Sequence, residues 1–180
     1  MALREIITYP HPVLKQKARP VDAVDDTIRK LIDDMVDTMY DAPGIGLAAP
    51  QVAQPLQVCV VDIGTAEGKQ GSDLIVLVNP RITLAEGKIT WNEGCLSVPD
   101  FEEDIERANH IVVHALGRDG KEFQLDAENL RAVCIQHEMD HLLGITIADK
   151  VSFLKRNMYL TKVKKGKIAP RDRNDRRLVI

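Results

Sequence analysis

The sequence predicts an α+β fold, with antiparallel sheets packed around one central helix and a further helix near the C-terminus. Three observations predict it. Strand-like apolar runs are separated by turn signals; no strand-helix-strand alternation demands a parallel sheet; and one segment, 130–144, keeps helical spacing with no Pro or Gly until its end. A chain of 180 residues with 44% hydrophobic content can bury one substantial core, so 1–180 is expected to form a single domain.

The elements follow in order. Segment 25–40 carries Ile28, Leu31, Ile32, Met35 and Met39 as one helical stripe, a core-packing face, and Asp25 caps its start. Residues 44–51, GIGLAAPQ, form a small, flexible segment. It is no dinucleotide fingerprint, since it opens no helix after a strand and lacks the third glycine at the required spacing. Strands are expected at 56–63, 74–78, 82–91, 105–116 and 122–125, joined as antiparallel neighbours by turns at Asn79-Pro80, Glu86-Gly87 and Asp119-Gly120. His110 and His114 alternate with apolar residues as sheet positions, and His11, between two prolines, lies in a loop. Helix 130–144 ends at Gly144, a natural C-cap. A last amphipathic helix is expected at 153–163, with Ser152 as N-cap, Leu154, Met158 and Thr161 on one side, and Gly166 and Pro170 ending it.

The central helix also carries the chemistry. His137 and His141 stand four residues apart, with Glu138 beside the first. On a helix that spacing points both rings the same way to grip one divalent metal, while the carboxylate moves protons at a metal-activated water. A lone His on an apolar face is usually a core residue; two at this spacing with an adjoining Glu reverse that expectation.

A third protein ligand is then needed, from a carboxylate or from Cys59, Cys95 or Cys134. Cys134 precedes His141 by about two helical turns, or about 10.5 Å along the axis, with His137 between. Cys59, flanked by Val58, Val60 and Val61, reads as a small hydrophobe in a buried strand. Cys95 differs, because Gly94 allows close backbone approach and its polar flanks suggest a site wall.

GIGLAAPQ at 44–51, EGCLS at 93–97 and QHEMDHLLG at 136–144, in that order, resemble the three signature motifs of the peptide deformylases. The similarity covers about residues 3–155. It implies metal-dependent hydrolysis of the N-formyl group from the formylmethionine of new polypeptides, releasing formate. By that resemblance Cys95, His137 and His141 hold the metal, Glu138 shuttles the proton, and the Gln51 amide and Leu96 N–H stabilise the oxyanion. Ile45 and Gly46 pair with the substrate backbone as an added strand, Gly94 stands opposite, and Leu130 and Val133 line the methionine pocket with the His137 ring. The resemblance favours Fe(II) as the physiological ion, with Zn, Ni or Co accepted in purified protein. A peptidase sharing HExxH would take a third His or Glu well downstream, where only Asp149, Asp172 and Asp175 stand.

Composition agrees. Three Cys at irregular spacing fit a reducing compartment and a thiolate ligand better than a disulfide framework. No apolar run reaches the length of a membrane span, and Pro10 and Pro12 break the N-terminus early, so a cytoplasmic monomer is expected. The net charge of -3 gives no sign of general nucleic-acid affinity. Yet from about residue 152 the chain becomes a basic helix and tail, with Lys155, Arg156, Lys162, Lys164, Lys165, Lys167, Arg171, Arg173, Arg176 and Arg177. Together with the family resemblance, this points to a ribosome contact. An opposite, acidic run stands at Asp100, Glu102, Glu103, Asp104 and Glu106.

Overall fold

The computed structural model describes residues 2–168 and 179–180. Helix α1 (Asp26–Asp41) starts where the Asp25 carboxylate accepts the Ile28 N–H at 2.9 Å, and it buries Leu31, Ile32, Met35 and Met39. Seven strands follow: β1 (Gly46–Ala48), β2 (Val58–Asp62), β3 (Leu74–Glu86), β4 (Ile89–Cys95), β5 (Val98–Arg107), β6 (His110–Leu116) and β7 (Glu122–Glu128). Helix α2 (Asn129–Leu142) and helix α3 (Phe153–Lys164) are the other α-helices among the described residues. All strand pairs are antiparallel, in a five-stranded sheet of order β1-β2-β3-β6-β7 and a two-stranded ribbon of β4 and β5.

The alternation of β2 explains the layering. Val58 and Val60 face α1, in a cluster with Met35, Met39 and Leu47, whereas Cys59 and Val61 face α2, in a cluster with Ile111, Val113, Cys134 and Ile135. The sheet is therefore covered on both faces. Helix α2 is buried nearly all round, which is why it shows no single apolar stripe.

Segment 44–51 is not a flexible loop. It forms β1 and then a 3-10 turn over Ala49–Val52, and its residues are buried, because β1 pairs with β2 and packs against α2. Asn79-Pro80 is not a turn either. Asn79 takes a positive φ of 51° and exchanges two hydrogen bonds of 2.8 Å with the Val21 backbone, so β3 runs on through a bulge. Asp119-Gly120 makes the expected β6-β7 hairpin, with Gly120 at φ 79°.

At Glu86-Gly87 the chain does turn, but β4 leaves the large sheet and joins β5 in the ribbon. The run 105–116 divides for the same reason. At Ala108 both peptide groups are taken by the Gln136 side chain of α2, at 3.1 and 2.8 Å, so the ladder of β5 ends there and β6 enters the other sheet. Strand β5 begins earlier than expected, and most of the acidic run is its outer face: Asp100, Glu102, Asp104 and Glu106 are exposed, while Glu103 is half-buried on the side of Phe101, Ile105 and Arg107.

Helix α3 starts as expected, the Ser152 hydroxyl accepting the Lys155 N–H. Its buried face is a different one. Tyr159 is the buried residue, against the Phe101 ring at 5.1 Å, and its hydroxyl donates to Pro99 O at 2.9 Å. Phe153, Leu154 and Met158 are 71%, 68% and 57% exposed. One well-placed aromatic outweighs two aliphatic residues here, because the ribbon offers an apolar ring and an acceptor at the same spot. Pro170 and the basic residues Arg171, Arg173, Arg176 and Arg177 lie outside the described residues.

Two truncations test this docking. Tyr159→Ala should lower unfolding free energy by about 3–5 kcal/mol, as large aromatic truncations in cores do. Leu154→Ala should change it by less than about 0.5 kcal/mol. Urea unfolding of both variants checks the pair, and the reverse ranking would place the packed face where the sequence suggested.

Candidate metal centre

Three backbone segments meet at the centre of the molecule. Helix α2 contributes His137, Glu138 and His141, all buried, with ring centroids of the two imidazoles 5.1 Å apart. The end of β4 contributes Cys95, whose Sγ lies 3.3 Å from His141 Nε2. The 3-10 turn after β1 contributes Gln51. Its Oε1 accepts the Ala48 N–H at 2.7 Å, which turns Nε2 towards Cys95 Sγ at 3.7 Å. Residues 7–9 lace the last two segments together, Ile7 N–H bonding Gln51 O and Tyr9 N–H bonding Ser97 O.

One donor atom from each of Cys95, His137 and His141 lies within 4.8 Å of the other two. A thiol and two imidazoles are the donors that Zn and neighbouring first-row ions select. Three orphaned atoms strengthen the fit. His137 Nε2 is buried without a hydrogen-bond partner, as are both carboxylate oxygens of Glu138, a costly state for polar atoms in a core unless a ligand meets them. Cys59 and Cys134 are buried and stand outside this group; Cys134 Sγ instead contacts Ile45 O at 3.4 Å.

His137 is oriented from behind. Its Nδ1 lies 2.8 Å from Glu93 Oε2, and Glu93 receives two bonds from Arg107, at 2.7 and 2.8 Å. Burial would raise the Glu93 pKa, but hydrogen bonds from Arg107 and His137 outweigh it and hold the carboxyl below its ordinary range. A charged carboxylate only accepts, so Nδ1 carries the proton and Nε2 presents its lone pair to the centre. Arg107 also bonds Asp140 at 2.5 Å, and Lys150 reaches Asp140 at 3.0 Å.

Burial drives the other groups towards neutrality. It lowers the His141 pKa well below the ordinary value, with His137 and Arg107 adding to the effect, so the ring is neutral as a ligand must be. It raises the Cys95 thiol and the Glu138 carboxyl. The backbone N–H groups of Ser97 and Val98 pull Cys95 part of the way back. A cation bound to the sulfur would complete its deprotonation.

The profile described as polypeptide deformylase matches residues 3–157. The chain belongs to the polypeptide deformylase family. Peptide deformylase from Nitrosococcus oceani is 51% identical over 165 residues, covering 92% of this chain and 96% of that protein. The one from Syntrophobacter fumaroxidans is 48% identical with the same shares. A crystal structure of a peptide deformylase from Legionella pneumophila aligns with a TM-score of 0.85 at 43% identity, over 92% of this chain and 96% of that one. A peptide deformylase from Ehrlichia chaffeensis, in complex with actinonin, aligns with a TM-score of 0.86 at 36% identity, over 93% and 99%.

The remaining residues singled out in the sequence take the following places in this deformylase fold. Leu96 stands in the two-residue turn between Cys95 and Val98. Gly46 lies directly over the acid, for a Cβ there would stand 2.3 Å from Glu138 Oε1. Ile45 and Val133 are buried in one cluster with Leu130 packed on it, and Gly94 is buried in β4. Sequence reasoning missed Glu93, Arg107 and Asp140 as supports. Glu93 and Asp140 sat inside the motifs, but only the ribbon register, which brings β5 beside β4, reveals Arg107.

Cysteine substitutions separate the three thiols. Cys95→Ala should lose tight metal binding, whereas Cys59→Ala and Cys134→Ala should keep one ion per chain and lose about 0.5–3 kcal/mol of stability from packing. Elemental analysis after gel filtration checks this, and full metal content in the Cys95 variant would remove it from the ligand set.

Proposed function

We propose that this centre hydrolyses the formyl amide at the amino terminus of formylmethionyl nascent peptides, giving formate and a free amine. The observation that carries the reading is the buried, unpartnered Glu138 carboxylate beside the convergent Cys95, His137 and His141 in a chain of the deformylase family. Cys95, His137 and His141 would hold a divalent ion, which would supply Lewis-acid chemistry at this site. Glu138 accepts the proton of the attacking water and delivers it to the departing amine. Its raised affinity for protons, from burial, suits that second half.

Gln51 and Leu96 are the proposed oxyanion donors. Because Ala48 N–H fixes Gln51 Oε1 and one amide N–H points at Cys95 Sγ, the other N–H is left for the developing charge and need not reorganise, which is the condition for electrostatic stabilisation. Ile45 and Gly46, with Gly94 across from them, form the strand-like walls for the peptide backbone, and Leu130, Val133 and the His137 ring form the apolar floor for methionine. Gly46 is required by space: any side chain would strike the proton shuttle.

The same reading takes Fe(II) as the physiological ion, with Zn, Ni or Co binding the same donors. It makes the protein a cytoplasmic monomer; among the described residues no helix is long and apolar enough to cross a membrane.

Glu138→Gln is the decisive variant. It should keep the metal and the circular dichroism of the parent while formyl-methionyl peptide turnover falls by about 10,000-fold or more, since one group serves both proton transfers. Retention within about tenfold of parental turnover would exclude Glu138 as the shuttle. Equal rates on formyl- and acetyl-methionyl peptides would point to a general deacylase.

A ribosome contact through the C-terminal helix is the second part of the proposal. Phe153, Leu154 and Met158 are exposed on the same helix as Lys162 and Lys164, a mixed apolar and basic surface suited to a ribonucleoprotein partner. Since Tyr159 anchors the helix in the core, charge reversal is a cleaner test than truncation. Lys162→Glu with Lys164→Glu should leave hydrolysis of short formyl peptides unchanged and weaken cosedimentation with ribosomes, most clearly at low salt. Equal cosedimentation of parent and variant would make this a solvated surface.

A further inference from the structure

The last two residues of the sequence return to the metal centre. Val179 forms a parallel bridge with Gly44, and its carbonyl accepts the Ile45 N–H at 3.0 Å. On the other side it presses on β4, for a Cβ at Gly94 would stand 2.9 Å from Val179 Cγ1. Ile180 is 3% exposed and joins the cluster of Ile45, Ala48, Val133 and Cys134, against which Leu130 packs. Of these, Ile45 and Gly94 are walls and Val133 and Leu130 floor residues assigned above to substrate.

We infer that Val179 and Ile180 are an internal occupant of the substrate groove, Val179 as the added strand and Ile180 in the methionine pocket, so that the chain competes with its own substrate. This rests on the substrate groove proposed above.

An extended segment added to an exposed backbone edge gains affinity from main-chain hydrogen bonds and specificity from alternate side-chain pockets, and Val179 and Ile180 supply one of each. The pair belongs to the same chain as the groove, so the contact is intramolecular, and effective concentrations on the order of millimolar are enough for a weak dipeptide contact to matter. Finally, Val179 and Ile180 lie beyond residues 3–157, the part that matches the family profile, while the backbone they pair with lies within it.

Occupancy is read without hydrolysis by amide exchange at Ile45 and by calorimetric binding of the tripeptide Met-Ala-Ser, the expected product of formyl-Met-Ala-Ser. The metal-loaded full chain is compared with Ile180→Asp and with a chain lacking Val179 and Ile180. Both variants should exchange Ile45 faster and bind the tripeptide about tenfold more tightly, because the competent fraction of sites rises. They should hydrolyse formyl-Met-Ala-Ser with a KM lower by a similar factor and an unchanged kcat. A purely structural role would instead lower Tm while leaving KM and tripeptide affinity alone, and that result overturns the inference. Equal Ile45 exchange, affinity and KM in all three proteins overturns it too, with the deformylase reading intact. If the variants free Ile45 and bind the tripeptide more tightly but no form releases formate, the occupant stands and the activity reading fails.

Discussion

The buried bond between Glu93 and Arg107 is the interaction on which the arrangement depends. Two charges leave water to form it, a desolvation cost that a buried ion pair recovers only with good geometry, and here both carboxylate oxygens meet guanidinium nitrogens within 2.8 Å. Replacing such a pair with apolar residues often leaves stability unchanged or improved, so its contribution lies in position. It joins β4 to β5, aims Glu93 at His137 Nδ1, and reaches Asp140 between the two histidines of α2. Ribbon and helix are thereby joined by linked polar contacts, Glu93 to His137 and Arg107 to Asp140, and Cys95, two residues past Glu93, is fixed relative to the imidazoles.

Around that anchor, burial works on every ionisable group in the same sense. Cys95 and Glu138 are pushed towards their protonated forms, and His141 towards its neutral form. Each shift removes charge from a low-dielectric core, which is the cheapest state for a protein without a compensating ion. A cation reverses the balance for the thiol. A metal held by Cys95 would therefore be coupled to proton release from the thiol, and the burial that leaves the neighbouring polar atoms without partners would strengthen electrostatic interactions there.

The division into sheet and ribbon solves a geometric problem. The ligand helix must be buried on nearly all sides, yet the peptide must reach it along one edge. The large sheet covers α2 through Cys59, Val61, Ile111 and Val113, while the ribbon approaches from another direction carrying the thiol. Gln136 makes the crossing between them tolerable by satisfying both peptide groups of Ala108 where neither sheet does. The edge left beside the centre is the short β1 with residues 44–45, and the structure shows Val179 already lying along it.

Local patterns determined much of this protein without any structure. The i,i+4 spacing of His137 and His141, the cap residues Asp25 and Ser152, the Asp119-Gly120 hairpin and the demotion of Cys59 and Cys134 all follow from short-range geometry, which the chain obeys wherever tertiary contacts agree. What needed the tertiary structure were features whose partners are remote in sequence. Asn79-Pro80 reads as a turn until Val21 supplies the two bonds that let β3 continue; 105–116 reads as one strand until Gln136 ends the first half. Leu154 and Met158 read as the packing face of α3 until Phe101 and Pro99 O claim Tyr159. Arg107 carries no local mark of its role at all. A residue's own neighbours fix its conformation, but the energy of a buried contact belongs to both partners, and one of them is invisible from the other's position in the chain.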